Sequence, residues 1–173
     1  MKINRVWAMP SAWTFTIKPI AELVYRYVKD GKGWVDPFAG DNSPAEFTND
    51  LNPKAPTKYH LEAIDFLKQL KGNSFEGGLY DPPYSLRQIM EVYDGIGCRV
   101  DKKWATTKFY SESKTYLADK IKPGGIVISF GWNSIGMGKK RGFEIIEILL
   151  VSHGRLHNDT IVTVEVKNQG KLL

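Results

Sequence analysis

Residues 75–85 read Phe-Glu-Gly-Gly-Leu-Tyr-Asp-Pro-Pro-Tyr-Ser. Phe75 to Tyr80 predicts a strand, and the prolines end it, because proline holds φ near about −65° and has no N–H to give a ladder. Pro82 and Pro83 then fix the Asp81 carboxylate, the Pro82 carbonyl and the Tyr84 ring in one arrangement at the strand's carboxyl end. Two acceptors beside a flat ring suit a planar amine, whose two N–H groups donate to them while its plane rests on tyrosine. The same tetrapeptide also reads as an ordinary proline-rich turn after a strand.

Outward from this strand the pattern alternates between helix and strand, which implies a mostly parallel sheet with crossover helices. Before it, Pro19 to Val28 carries Ile20, Leu23, Val24, Tyr27 and Val28 at helical spacing, begun by proline and ended by Asp30-Gly31. Trp34-Val35 reads as a short buried strand, Asp36 to Ser43 as a turn, Glu46 to Thr48 as a second strand and Ala63 to Leu70 as a helix. After it, residues 85–107 are ambiguous. Tyr110 to Ile121 predicts a helix stopped by Lys122-Pro123-Gly124-Gly125, and Ile126 to Phe130 a central strand. Phe143–Val151 and Thr160–Val166 predict an antiparallel pair closing the sheet edge.

The 173 residues are expected to form a single domain over 1–173, with a substrate loop or lid at 85–108. The 24 Lys and Arg against 19 Asp and Glu give a formal net charge of +5, which suits a polyanionic partner and is also common in small proteins. Cys98 is the only cysteine, and His60, His153 and His157 are not spaced as zinc ligands, so neither a disulfide nor a metal centre is expected. No apolar run reaches the roughly 18 residues of a membrane span, and the N-terminus has no signal-peptide core. A reducing cytoplasm is the expected location.

Several segments, in order, carry a resemblance. Asp81-Pro82-Pro83-Tyr84 is similar to the catalytic motif of S-adenosylmethionine-dependent amino-methyltransferases, in the Asp form typical of N6-adenine DNA methyltransferases. Trp34-Val35-Asp36-Pro37-Phe38-Ala39-Gly40 resembles that family's first cofactor motif, although Asn42 stands where a second glycine is usual. Thr48-Asn49-Asp50-Leu51-Asn52-Pro53 resembles the end of the second strand, Tyr59 to Leu67 the cofactor-adenine segment, and Thr14 to Pro19 the segment beside the cofactor's methionine end. The resemblance spans about residues 12–167, nearly the whole chain. It implies a Rossmann-like class I methyltransferase fold: α/β, with a mostly parallel central sheet, a C-terminal antiparallel strand pair and flanking helices.

It also implies roles. Asp81, Pro82 and Tyr84 would be catalytic, with Asp81 accepting hydrogen bonds from the target amine and stabilising the positive charge that grows on it. Phe15, Lys18, Pro19, Asp36, Pro37, Phe38, Gly40, Asn42, Asp50, Leu51, Glu62, Ala63 and Asp81 would hold S-adenosylmethionine. Asp50 would accept from the ribose hydroxyls. Glu62 would accept from the adenine amine or simply begin a helix, and Lys18 would order the cofactor carboxylate or extend to solvent. Asn42 tolerates a left-handed backbone better than other non-glycine residues, which would spare the turn.

The implied reaction is methylation of the adenine N6 amine in DNA, with RNA adenine, a protein amide, or a noncatalytic nucleic-acid-binding subunit as alternatives. The chain has no room for a separate recognition domain. Arg87, Arg99, Lys102, Lys103, Trp104 and Lys108 are therefore the candidate nucleic-acid contacts, with Lys139-Lys140-Arg141 as a second basic cluster and a homodimer or partner subunit as another source of specificity. Phe130 and Trp132 read as core, or as a second aromatic face for the substrate.

Overall fold

The computed structural model describes residues 1–84, 86–95, 97, 107–154 and 157–169, without the side chains of Leu86, Arg87, Glu91, Val92 and Thr107. Its strands are β1 Lys2–Trp7, β2 Trp34–Asp36, β3 Phe47–Thr48, β4 Phe75–Tyr80, β5 Ile121–Gly131, β6 Phe143–Ser152 and β7 Thr160–Lys167. Its helices are α1 Lys18–Val28, α2 Ala63–Gln69, α3 Leu86–Gly95 and α4 Thr107–Lys120. The strands form one sheet in the order β1-β6-β7-β5-β4-β2-β3. Only β7 runs against the others, pairing antiparallel with β5 on one side and β6 on the other.

Two differences from the sequence reading follow. The antiparallel pair does not close the sheet edge, because β1 adds in parallel outside β6, from Lys2 opposite Glu147 to Trp7 opposite Ser152. In addition, β5 begins before the Pro-Gly-Gly stop. Phe75 pairs with Ile121 and Gly77 with Ile126, so residues 122–125 bulge out between two paired stretches, with Gly124 at φ 80°.

The helices cover both faces of the sheet. α1 starts at Lys18, with Pro19 in its first turn, and buries Ile20, Leu23, Val24 and Val28 against Leu79, Ile128, Val162 and Val164. An isolated helix of 11 residues is marginal in water, so its stability comes from these side chains, each worth about 1.5–3 kcal/mol when fully buried. On the opposite face, Phe66 and Leu67 of α2 join Leu117 and Ala118 of α4 over Val35, Phe75 and Val127. Because all strands but β7 run the same way, the segments after β2, β3, β4 and β5 emerge at one end of the sheet. Chemistry in open α/β sheets is built at that end.

Among the described residues, no helix is long and apolar enough to cross a membrane, and no group of three His, Cys, Asp or Glu side chains is placed to hold a metal.

Candidate active site

The turn after β2 is built around Asp36, a fully buried carboxylate that accepts from the Phe38 N–H at 2.9 Å and from Ser43 Oγ at 2.7 Å. Burial drives its pKa up to about 7; those two bonds oppose the shift, and the charges of Asp81 and Asp50 add to it. The chain then passes through Gly40 at φ 52°, a left-handed backbone that costs glycine nothing. Gly40 N–H donates to Asp50 Oδ2 at 2.9 Å, and Asn52 N–H donates to Asp50 Oδ1 at 2.8 Å. Asp50 is thus locked in place after β3 with a lone pair left on each oxygen. Asn42 is not left-handed, since Lys29 and Asn73 are the only non-glycine residues with positive φ among those described. The missing second glycine therefore costs this turn no strain.

A buried side chain that the sequence reading passed over joins the loops. Asn49 Nδ2 donates to Pro37 O at 3.1 Å and to Leu61 O at 2.9 Å, while its Oδ1 accepts from Leu61 N–H at 2.9 Å. It stitches the turn after β2 to the segment entering α2, where Glu62 occupies the N-cap without a side-chain capping bond. Glu62 Oε1 instead accepts from Tyr93 Oη of α3 at 2.7 Å. Glu62 thus stands at the helix start, as one reading expected, while its side chain is turned to another element.

After β4, burial moves the Asp81 carboxyl up to about 7, opposed by a hydrogen bond from the Thr14 side chain. Tyr84 Oη also donates to Asp81 Oδ1, so that oxygen already has a donor. The loop is pinned from two sides, with Tyr110 Oη of α4 donating to Pro83 O at 2.6 Å and Tyr84 N–H donating to Gln88 Oε1 at 2.7 Å. Among the described residues no loop or side-chain donor is seen on the Pro82 carbonyl.

These parts surround one cavity of about 500 Å³. Of the predicted residues, Phe15, Pro37, Phe38, Gly40, Asn42, Asp50, Leu51, Glu62, Ala63, Asp81, Pro82 and Tyr84 line it. Three do not. Asp36 lies beneath the turn. Lys18 and Pro19 open α1, where the burial of Ile17 and Ile20 turns Lys18 to solvent and Pro19 toward a separate groove beside β1.

Lys108 is exposed near the start of α4, beside the cavity-lining Phe109. Arg99, Lys102, Lys103 and Trp104 lie outside the described residues, as does the side chain of Arg87. Phe130 is core, edge-on to Phe15 at 5.3 Å between ring centroids. Trp132 is not: it is 46% exposed, and its ring stands 5.8 Å from that of Tyr84. Sequence reasoning also missed Trp13, Gln88 and Ile89 as lining residues, and it read Tyr93 as a nucleic-acid contact of the 85–108 segment rather than as a cavity wall. Ser85-Leu86-Arg87-Gln88 carried a signal for one of them, since Ser-x-x-Gln before an apolar stripe is a capping-box pattern whose glutamine reaches back toward the helix start.

No protein-family model matches the chain, and no curated protein matches it by sequence. Solved structures do. The chain is similar to 1,6-didemethyltoxoflavin-N1-methyltransferase of Burkholderia thailandensis, solved with 1,6-didemethyltoxoflavin and S-adenosylhomocysteine. The two align with a TM-score of 0.60 and 10% identity over 88% of this chain and 78% of that one. It is also similar to the N-methyltransferase NodS of Bradyrhizobium japonicum, with a TM-score of 0.56 and 6% identity over 86% of this chain and 94% of that one. A third similarity is to magnesium protoporphyrin IX methyltransferase of Synechocystis with bound SAM, at a TM-score of 0.53 and 14% identity over 87% and 79% of the two chains. The fold is Rossmann-like, of the class I methyltransferase type.

Proposed function

We propose that the protein transfers a methyl group from S-adenosylmethionine to the N6 amine of adenine in DNA. The observation that carries this reading is the single cavity lined by Gly40, Asp50 and Glu62 together with Asp81, Pro82 and Tyr84. An adenosyl group fits the first set. A side chain at Gly40 would meet nothing closer than Trp13 at 4.0 Å, so a ligand can lie directly on that backbone. Asp50 offers paired acceptors for vicinal hydroxyls, Glu62 an acceptor for an amine, and Phe38, Leu51 and Leu61 apolar walls. The volume is that of an ordinary small-molecule site.

When bound, the sulfonium supplies an electrophilic methyl that needs only an aligned nitrogen. The chain's own residues do the rest. The Pro82 carbonyl and Asp81 take the amine's two N–H groups, turning the nitrogen lone pair away from both. Tyr84, next to Gly131 and with the tilted Trp132 ring 5.8 Å away, offers its face to the base plane. With a pKa near 7 rather than the usual carboxylate value, Asp81 is a stronger proton acceptor for the cationic product than an exposed aspartate, while still far too weak to deprotonate a neutral amine. Ionised, it stabilises the growing charge; protonated, it cannot.

Adenine in a duplex has to leave the stack to reach this depth. The segment between Tyr84 and α4, with Arg87, Arg99, Lys102, Lys103 and Trp104, together with Lys108 in the first turn of α4, supplies the basic and aromatic residues for that contact. Labelled S-adenosylmethionine offered with separate DNA, RNA and protein pools tests the reading. Label in DNA adenine N6, lost by at least about 100-fold in Asp81→Asn, is the expected result. Label in RNA or protein alone would reassign the substrate, and label in none would remove the enzyme reading.

A further inference from the structure

A short polar side chain such as Asp or Ser at a helix N-cap ordinarily turns back to bond the second or third N–H of its own helix. Glu62 occupies that position on α2 and makes no such bond. Its carboxylate is held 31 positions away in sequence, by the Tyr93 hydroxyl of α3 at 2.7 Å, a charge-assisted contact. Both side chains line the cavity, and Ile89, one helical turn before Tyr93, lines it too with 4% exposure. What aims Glu62 into the cavity is therefore α3.

We infer that Tyr93 is a positioning residue for the cofactor, fixing Glu62 so that its second carboxylate oxygen receives the adenine amine. The inference rests on the proposed function and deepens it. One oxygen of Glu62 is taken by the phenol, which leaves the other to discriminate between an amine, which donates, and a carbonyl, which cannot. Without the hydroxyl, Glu62 is free to swing back to the α2 N-terminus, where the first-turn N–H groups and the helix dipole attract it. The acceptor would then leave the adenine site while the apolar walls of the pocket stayed in place.

The Gln88 end of the same helix holds the Tyr84 N–H at 2.7 Å. α3 thus spans the cavity from the adenine acceptor to the substrate-stacking ring, and anything that fixes Glu62 also fixes the helix that carries Tyr84's partner.

The test is calorimetric binding of S-adenosylhomocysteine and S-inosylhomocysteine, which differ in the donor at the base, to wild type, Tyr93→Phe, Glu62→Gln and the double variant. Phenylalanine keeps the ring and its packing, so thermal melting of Tyr93→Phe should match wild type. Its affinity for S-adenosylhomocysteine should fall roughly tenfold, the scale of one hydrogen bond to a charged group. Its preference for the adenine over the hypoxanthine ligand should fall with it. The double variant should bind no more weakly than Glu62→Gln alone, because Tyr93 acts through Glu62.

Wild-type affinity and wild-type base preference in Tyr93→Phe would overturn the inference and leave the proposed function standing. So would strict additivity in the double variant. Failure of wild type to bind S-adenosylhomocysteine would bring down both.

Discussion

Asp81 and Asp36 are carboxyls that burial holds near pH 7, and protonation has opposite consequences for folding and for chemistry. In the unfolded chain an aspartate titrates near about 3.9. Between that value and about 7 the native state therefore binds more protons than the unfolded one, and stability falls as pH rises through the window. Under the proposed mechanism activity runs the other way, since only ionised Asp81 can stabilise a cation or take its proton. Asp81→Asn should therefore melt at a higher temperature than wild type, by a margin that grows from pH 5 to pH 8 in scanning calorimetry. Wild-type turnover should rise with pH through about 7. A melting difference that is flat with pH would mean that Asp81 is not held protonated by the fold. The sequence shows that Asp81 is placed by two prolines; it does not show the burial, because Thr14 and Tyr110 come from two distant segments.

At the scale of elements, β4 is the strand on which the Asp81–Tyr84 loop hangs, and it carries two consecutive glycines that weaken a strand on propensity alone. The packing explains them. A Cβ on Gly77 would lie 2.6 Å from the Trp34 indole on β2, and one on Gly78 would lie 3.0 Å from Leu117 on α4. Gly77→Ala should therefore push β2 from β4 and cost about 1–3 kcal/mol in urea unfolding, with Trp34 emission moving to the red. Where pattern and packing agree, as in α1 and β4, the sequence is enough to find the element. It does not reveal β1, whose apolar Ile3, Val6 and Trp7 do not alternate and which exists because β6 offers it an edge. α3 is half legible: Leu86, Ile89, Met90 and Tyr93 have helical spacing, obscured by Gly95 and Gly97 just beyond. The cavity's strand-end residues are readable because each follows a strand, whereas Asn49 and Tyr93 matter only through partners that the sequence does not pair with them.

For the whole molecule, the net charge of +5 matters less than which end of the sheet carries it. Some of the positive charge is already engaged: Arg26 with Glu147, Lys122 with Glu76, and Arg141 with Ser111, Thr115 and Met137. Lys139 and Lys140 are exposed, but they precede β6, whose start lies at the end of the sheet opposite the cavity, because β6 runs parallel to β1 and antiparallel to β7. A nucleic acid feeding an adenine to Asp81 would not touch them. The segment that leaves Tyr84 and returns at Lys108 begins and ends at the cavity. Neutralising Arg99, Lys102 and Lys103 together should therefore weaken DNA binding and flatten the log-log salt dependence by roughly 0.7–0.9 for each phosphate no longer neutralised, with S-adenosylhomocysteine affinity unchanged. Neutralising Lys139 and Lys140 should leave the slope alone. If fluorescence anisotropy across a salt series shows the reverse, DNA approaches from the far end of the sheet, and the basic segment between α3 and α4 is not its binding surface.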